Sequence, residues 1–415
     1  MRIERMPITR KPRTFSAAVF VLACATGLAQ APGAAAQPAS FKPGDELRPL
    51  YATVNDIAEG KRLVDSSCAS CHGANGISID RAVPNLAGQR ASYLYLELVA
   101  YQSGARPDTP MTAKVKFLSA DALMKVSAYY ASLDPAQPAP LGAAPTYLDP
   151  IQAGKAVSVP CAGCHGDTGI SKIPGMPNLI AFDPQYLSAA IKAYRSGQRK
   201  NDLMKSMLTP LSEADINRVA LFYALQKPGR AQTPAAGDKD AGKAAAVSCS
   251  GCHGDEGASG NPATPSLAGQ DAQYLAAALY AYKSGSRGDD TMKSLASVLD
   301  DAAIKNISAY YASLTPQPVH ARKPLTVEEW AERCDRCHGL NGNSTNARIP
   351  ALAAQNIGYL ERVLHAYQSG ARRSPEMAAM SDVLSDDDVK NLATHYSRQK
   401  AKAVLFMTVP DKPGK

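Results

Sequence analysis

Four stretches of the chain repeat one apolar pattern, Tyr-Leu-x3-Leu/Ile-x2-Tyr, running from Tyr93 to Tyr101, Tyr186 to Tyr194, Tyr274 to Tyr282 and Tyr359 to Tyr367. Counted from the leucine, the apolar positions fall at i, i+4 and i+7, which puts them on one face of an α-helix. Ser-Gly ends each stretch, and Gly104, Gly197, Gly285 and Gly370 suit the left-handed turn after a helix C-terminus. Further on, Ser212 with Asp215 and Ser385 with Asp388 read as capping boxes that open another helix. That helix carries Tyr129-Tyr130, Phe222-Tyr223, Tyr310-Tyr311 or His395-Tyr396. Upstream, a helix over about 56–67 delivers Cys68 at its end. The expectation is helix and loop throughout, an all-α fold.

Proline-rich linkers at about 135–146, 228–237 and 316–324 divide the chain into four tandem domains, expected at 50–134, 147–227, 238–315 and 325–400. Residues 37–50 read as a flexible lead-in. A unit of roughly 85 residues buries only a modest core, the size at which a staple or cofactor is usually needed. Units 1 and 3 share P-x-L-A-G-Q and Ala-Tyr-Tyr-Ala-Ser-Leu, which units 2 and 4 lack. This alternation points to duplication of a two-domain unit, and so to two pairs, 1 with 2 and 3 with 4.

The cofactor is legible in a run that occurs once per unit: Cys68, Cys71 and His72; Cys161, Cys164 and His165; Cys249, Cys252 and His253; Cys334, Cys337 and His338. In C-x-x-C-H two thiols add to porphyrin vinyl groups and the imidazole ligates iron, so four covalent haem c groups are expected. These runs use eight of the nine cysteines. Zinc would need four ligands together, whereas each pair stands alone in its repeat. A thioredoxin-type site would follow a strand, and no βαβ pattern is present.

With each motif histidine as origin, glycine recurs at +1 and +4, proline at +12 (Pro84, Pro177, Pro265, Pro350), leucine at +14 and methionine at +39. The four histidines are the proximal iron ligands, and Met111, Met204, Met292 and Met377 the sixth-ligand candidates, by analogy with His/Met c-type cytochromes. Met207 and Met380, at +42, compete in two units only; core filling is the ordinary alternative for a methionine. His320, His365 and His395 have no recurring partner and read as surface or packing residues. Arg106, Arg199, Arg287 and Arg372 follow Ser-Gly in every unit; a solvated surface charge is the ordinary reading, but the recurrence suggests a buried or interfacial role such as pairing with a haem propionate.

The first 36 residues read as a signal peptide: Arg2, Arg5, Arg10, Lys11 and Arg13 precede an apolar run from Phe15 to Leu28 and an Ala34-Ala35-Ala36 cleavage site. Export to the periplasm follows. The apolar run is shorter than the roughly 20 residues of a membrane span, and Cys24 only faintly resembles a lipid-attachment site, the one route to peripheral membrane association. The formal charge of +8 falls to a surplus of about four without the leader, and haem propionates offset that, so charge does not argue for nucleic acid.

Taken together, C-x-x-C-H-G-x-x-G, P-x-L-A-G-Q-x-x-Y-L, A-Y-x-S-G-x-R, a methionine and Y-Y-A-S-L resemble class I cytochromes c, most closely the dihaem cytochrome c4 group, over nearly all of 50–400. The resemblance implies a small helical fold per haem, His/Met ligation, a proline carbonyl that orients each proximal histidine, and paired domains with close haems. Departures are four domains instead of two, Leu179-Ile180-Ala181 in unit 2, and Glu328-Glu329-Trp330 where the others lead with Gly-Lys. The function expected is a non-enzymatic electron carrier whose redox protein partners are a respiratory donor and a terminal oxidase or reductase. A cytochrome subunit of a membrane-bound dehydrogenase, or a peroxidase with one open haem, are the alternatives.

Overall fold

The computed structural model describes residues 42–106, 109–139, 147–404 and 406–410. The leader, with Cys24, lies outside the described residues. One order of helices repeats four times. The leading helix carries or delivers the C-x-x-C-H run: Val54–Ser67 then Ala69–His72, Pro150–His165, Lys239–Ala245 then Ser250–His253, and Val327–His338. The middle helix is the one foreseen from the tyrosine-leucine pattern: Ala91–Gln102, Pro184–Ser196, Ala272–Lys283 and Ile357–Gln368. A short methionine helix follows: Pro110–Val115, Asp202–Leu208, Asp290–Ser297 and Pro375–Ser381. The closing helix is Ala120–Ser132, Glu213–Ala224, Asp301–Ser313 or Asp386–Ser397. The described residues form no strand, only two isolated bridges. The fold is all-α, built of four tandem units.

Leading and closing helices meet closely because of a glycine. A Cβ on Gly60, Gly154 or Gly242 would overlap the carbonyl of Lys125, Arg218 or Asn306 in the closing helix. The leading helix of unit 4 has no glycine at this contact; Val327, Trp330 and Ala331 pack there against Leu392 and Tyr396. Gly60→Ala should therefore force the two helices of unit 1 apart and cost about 1–3 kcal/mol. Denaturant unfolding of the variant checks this; an unchanged midpoint would contradict it.

The order of pairing differs from the expected 1 with 2 and 3 with 4. Unit 1 faces unit 4, and unit 2 faces unit 3. Asn85 and Gln355 exchange hydrogen bonds across the first interface, and Asn178 and Gln270 across the second. The 2·3 pair is thus nested in the chain between the partners of the 1·4 pair. Arg218 of unit 2 grips the Asp387 carboxylate of unit 4 with two bonds, tying one pair to the other. The chain touches unit 4 both where unit 1 ends and where unit 2 begins, with Ala139 N donating to Ser397 O and Leu148 N to Asn391 Oδ1.

Both ends of the described chain also return to the 1·4 pair. The supposed lead-in forms a 3₁₀ helix at Asp45–Tyr51 that packs on Ala91–Gln102, and its buried Glu46 pairs with Arg348 of unit 4. After unit 4 the chain runs back to unit 1, where Phe406 joins the core around Leu123 and Val409 N donates to Ala52 O.

Candidate haem sites and the interfaces that join them

In every unit the leading helix stops at its motif histidine, and the glycine after it turns the chain with φ between 76° and 80°. A Cβ there would strike the carbonyl four residues on, so only glycine permits the turn. The loop then returns the proline carbonyl to the ring. Nδ1 of His72, His165, His253 and His338 lies 3.1, 2.8, 2.8 and 2.9 Å from the carbonyl oxygens of Pro84, Pro177, Pro265 and Pro350. A carbonyl only accepts, so Nδ1 carries the proton and Nε2 keeps its lone pair. Burial pushes all four imidazoles below their ordinary value, which keeps them neutral.

The cysteines of each run are unpaired, the first half-buried and the second exposed. Burial pushes the first thiol up in each unit, to about 11 at Cys334. The closing-helix tyrosine packs on the glycine at +4 and reaches towards that thiol: a Cβ on Gly76, Gly169, Gly257 or Gly342 would collide with Tyr130, Tyr223, Tyr311 or Tyr396.

Each methionine at +39 is held by the cap of its short helix. The amides of Met204, Met292 and Met377 bond to Asn201 Oδ1, Asp289 Oδ1 and Ser374 Oγ, and that of Met111 to Thr109 Oγ1. These four methionines are half-buried, whereas Met207 and Met380 are 42% and 37% exposed. In unit 3 a cavity of about 720 Å³ is lined by Cys249, Cys252, His253, Pro265 and Met292 together. The buried cluster beside it is only Ala246, Leu275, Ile307 and Tyr311. The remaining histidines lie elsewhere: His365 bonds Gln368, His395 stacks near Tyr147 and Tyr396, and His320 is exposed in a linker.

The unit 3 cavity extends into unit 2, where Tyr186 and Arg199 complete its wall beside Arg287. Around it the 2·3 interface is a buried latch. Gln270 Oε1 accepts from Asn178 N at 2.6 Å and from Asp271 N at 2.8 Å, and its Nε2 donates to Asn178 O at 3.1 Å. Asp271 reaches back to Gly175 N and accepts from Thr233 Oγ1. The 1·4 interface uses the same two positions, asparagine at +13 and glutamine at +17, as Asn85 and Gln355; Gln89 adds a second exchange with Ala351.

The recurrent arginines converge at these interfaces. Arg199 and Arg287 form an antiparallel bridge, and both donate to the Tyr186 hydroxyl at 3.4 Å. At 1·4 the equivalents, Arg106 and Arg372, clasp Glu97 at 2.6 and 2.7 Å, and Arg372 also bonds Tyr93. Arg106 Nε and Arg287 Nε are buried without a hydrogen-bond partner. In unit 3, paired thiols beside a histidine with a free Nε2, a cavity lined in part by Met292, and the unanswered Arg287 Nε in its wall fit a covalent haem, whose propionates Arg287 would be able to meet. The latch residues and Glu97 were missed in the sequence. Asparagine at +13 occurs only in units 1 and 2 and glutamate at +25 only in unit 1, so a search for what recurs in every unit passes over them; the glutamines at +17 stood within a recognised run but without a role.

Comparison with known proteins bears on the family of the chain. The family model for cytochrome c matches residues 57–137. That for the cbb3-type cytochrome c oxidase subunit III matches 236–310 and 326–395. The chain is similar to cytochrome c4 of Thiocapsa roseopersicina, 31% identical over 191 residues, which covers 42% of this chain and 96% of that protein. It is also similar to the thiosulfate dehydrogenase electron acceptor of Thiomonas intermedia, 32% identical over 171 residues, covering 39% of this chain and 79% of the relative. Among solved structures, reduced recombinant cytochrome c4 from Pseudomonas stutzeri aligns with 41% of this chain and 100% of its own, at 26% identity and a TM-score of 0.36.

Proposed function

The chain belongs to the class I c-type cytochromes of the cytochrome c4 kind, with four haem c groups attached at its C-x-x-C-H runs, and on that premise we propose that it is an exported, periplasmic tetrahaem carrier of single electrons between respiratory partners. The haem iron supplies a one-electron couple and the protein supplies orientation, burial and charge. His72, His165, His253 and His338 hold iron through Nε2 while their proline carbonyls fix ring and tautomer. Met111, Met204, Met292 and Met377 would supply the second ligand to each iron, which would leave no site for a substrate such as peroxide. The observation that carries this reading is the repetition of one capped, half-buried methionine per unit at the same distance from the histidine.

The donor read here is a respiratory dehydrogenase and the acceptor a terminal oxidase or reductase. A relative named as the electron acceptor of a thiosulfate dehydrogenase supports a dehydrogenase donor, and favours a second reading as the dedicated cytochrome partner of such an enzyme. Among the described residues no helix is long and apolar enough to cross a membrane. The test is a ferric absorption and paramagnetic resonance spectrum of the purified holoprotein, followed by redox titration. Four low-spin haems, each titrating with one electron, are expected. A high-spin haem that binds peroxide would overturn the carrier reading.

A further inference from the structure

The two domain pairs share a latch but differ in charge where their arginines meet. Position +25 from the motif histidine is Ala190, Ala278 and Val363 in units 2, 3 and 4, but Glu97 in unit 1. Glu97 is largely buried and takes a hydrogen bond from an arginine of each partner, Arg106 and Arg372; the three side chains are 22%, 13% and 6% exposed. At the 2·3 interface Ala190 and Ala278 line the haem cavity, together with Arg199 and Arg287. Among the described residues those two guanidiniums share only the Tyr186 hydroxyl and no carboxylate. The tyrosines register the difference. Burial pushes the Tyr186 phenol up, but Arg199 and Arg287 outweigh it and hold it below its usual value. Burial and then Glu97 push the equivalent Tyr93 well above.

We propose that Glu97 divides the four haem sites into two potential classes, holding the 1·4 pair below the 2·3 pair, where Arg199 and Arg287 meet without a carboxylate. The inference rests on the reading of one His/Met-ligated haem in each unit. Oxidising an iron adds one positive charge at its centre. A buried protein carboxylate at the interface favours that charge, and a guanidinium pair with no such added carboxylate favours it less; the difference acts strongly because burial lowers screening. Glu97 takes one donor from each of Arg106 and Arg372, while one guanidinium Nε stays without a partner at each interface, Arg106 at 1·4 and Arg287 at 2·3, so the carboxylate itself is what distinguishes the two. The +25 position sits one helical turn beyond the tyrosine at +21 in every middle helix, so the contrast comes from one side chain and not from a different architecture.

The test is a redox titration of the full holoprotein with each haem resolved by its methyl proton resonances. Glu97→Gln keeps the size and hydrogen-bonding capacity of the side chain and removes its charge. Both haems of the 1·4 pair should then rise by at least a tenfold change in their electron-sharing equilibrium, 59 mV for a one-electron couple, with the 2·3 pair unmoved. Glu97→Asp should keep the low potentials. Ala190→Glu places a carboxylate beside Arg199 and Arg287 without removing any contact, and should lower the 2·3 pair by a similar factor. Four low-spin haems whose midpoints stay unmoved in Glu97→Gln and Ala190→Glu would overturn the proposal while leaving the ligation reading intact. Loss of low-spin ligation in the unsubstituted protein would instead strike the reading beneath it.

Discussion

Met204→Ala lowers the reduction potential of the unit 2 haem by a sizeable fraction of the roughly 0.8 V over which axial ligands set haem potentials. A thioether stabilises the ferrous state, and water or an imidazole drawn into its place does so less well. Met207→Ala, one turn along the same helix, leaves that potential where it was. The asymmetry follows from placement. Asn201 Oδ1 pins the Met204 amide and the side chain is half-buried, whereas Met207 is 42% exposed. Haem-resolved titration of both variants measures the effect, and the ferric spectrum reports whether sulfur ligation is lost. Equal potentials in Met204→Ala and the unsubstituted protein would mean that another group ligates this iron.

Gln270→Ala opens the 2·3 interface. The side chain is 3% exposed and satisfies three buried groups at once: the amides of Asn178 and Asp271 and the carbonyl of Asn178. Leaving a buried donor or acceptor unpaired costs about 1–3 kcal/mol, so with partial relaxation the three groups together lose about 3 kcal/mol. A chain of four domains does not unfold in one step, which makes a global midpoint a poor readout. Amide hydrogen exchange is local. Protection at Asn178 and Asp271 should fall by roughly a hundredfold, while Asn85 in the other latch keeps its own. Undiminished protection at Asn178 would show that the 2·3 contact does not exist in solution.

Much of each site could be read from the residues because it is made within about forty positions of chain. The leading helix, the glycine turn, the proline carbonyl and the capped methionine are local devices, each with its own residue requirement. Their common register names the cofactor and the ligand candidates. One local reading did not survive. The lead-in over 37–50 was expected to be flexible from its Pro and Gly content, yet Asp45–Tyr51 is helical because unit 4 supplies Arg348 to its buried Glu46. The buried or interfacial role suggested by the recurrence of the arginines after Ser-Gly did hold, but which of them would meet was not legible. They meet in pairs across interfaces.

Pairing was the larger difference. Likeness between units 1 and 3 records how repeats arose, and says nothing about which surfaces touch. Contact is decided by side chains at which the repeats differ: asparagine at +13 in units 1 and 2, and a glutamine at +17 that unit 2 replaces with Phe182. Asn85 meets Gln355 across 270 residues and Asn178 meets Gln270 across 92. The sequence by itself determined the four helical units, their haem runs and the ligand candidates, because short-range geometry demands particular residues at particular spacings. Only the tertiary structure decided the nested 1·4 and 2·3 pairs and brought Glu97 between two arginines, because repeats with nearly equal interiors leave their docking to a few long-range contacts with no periodic signature.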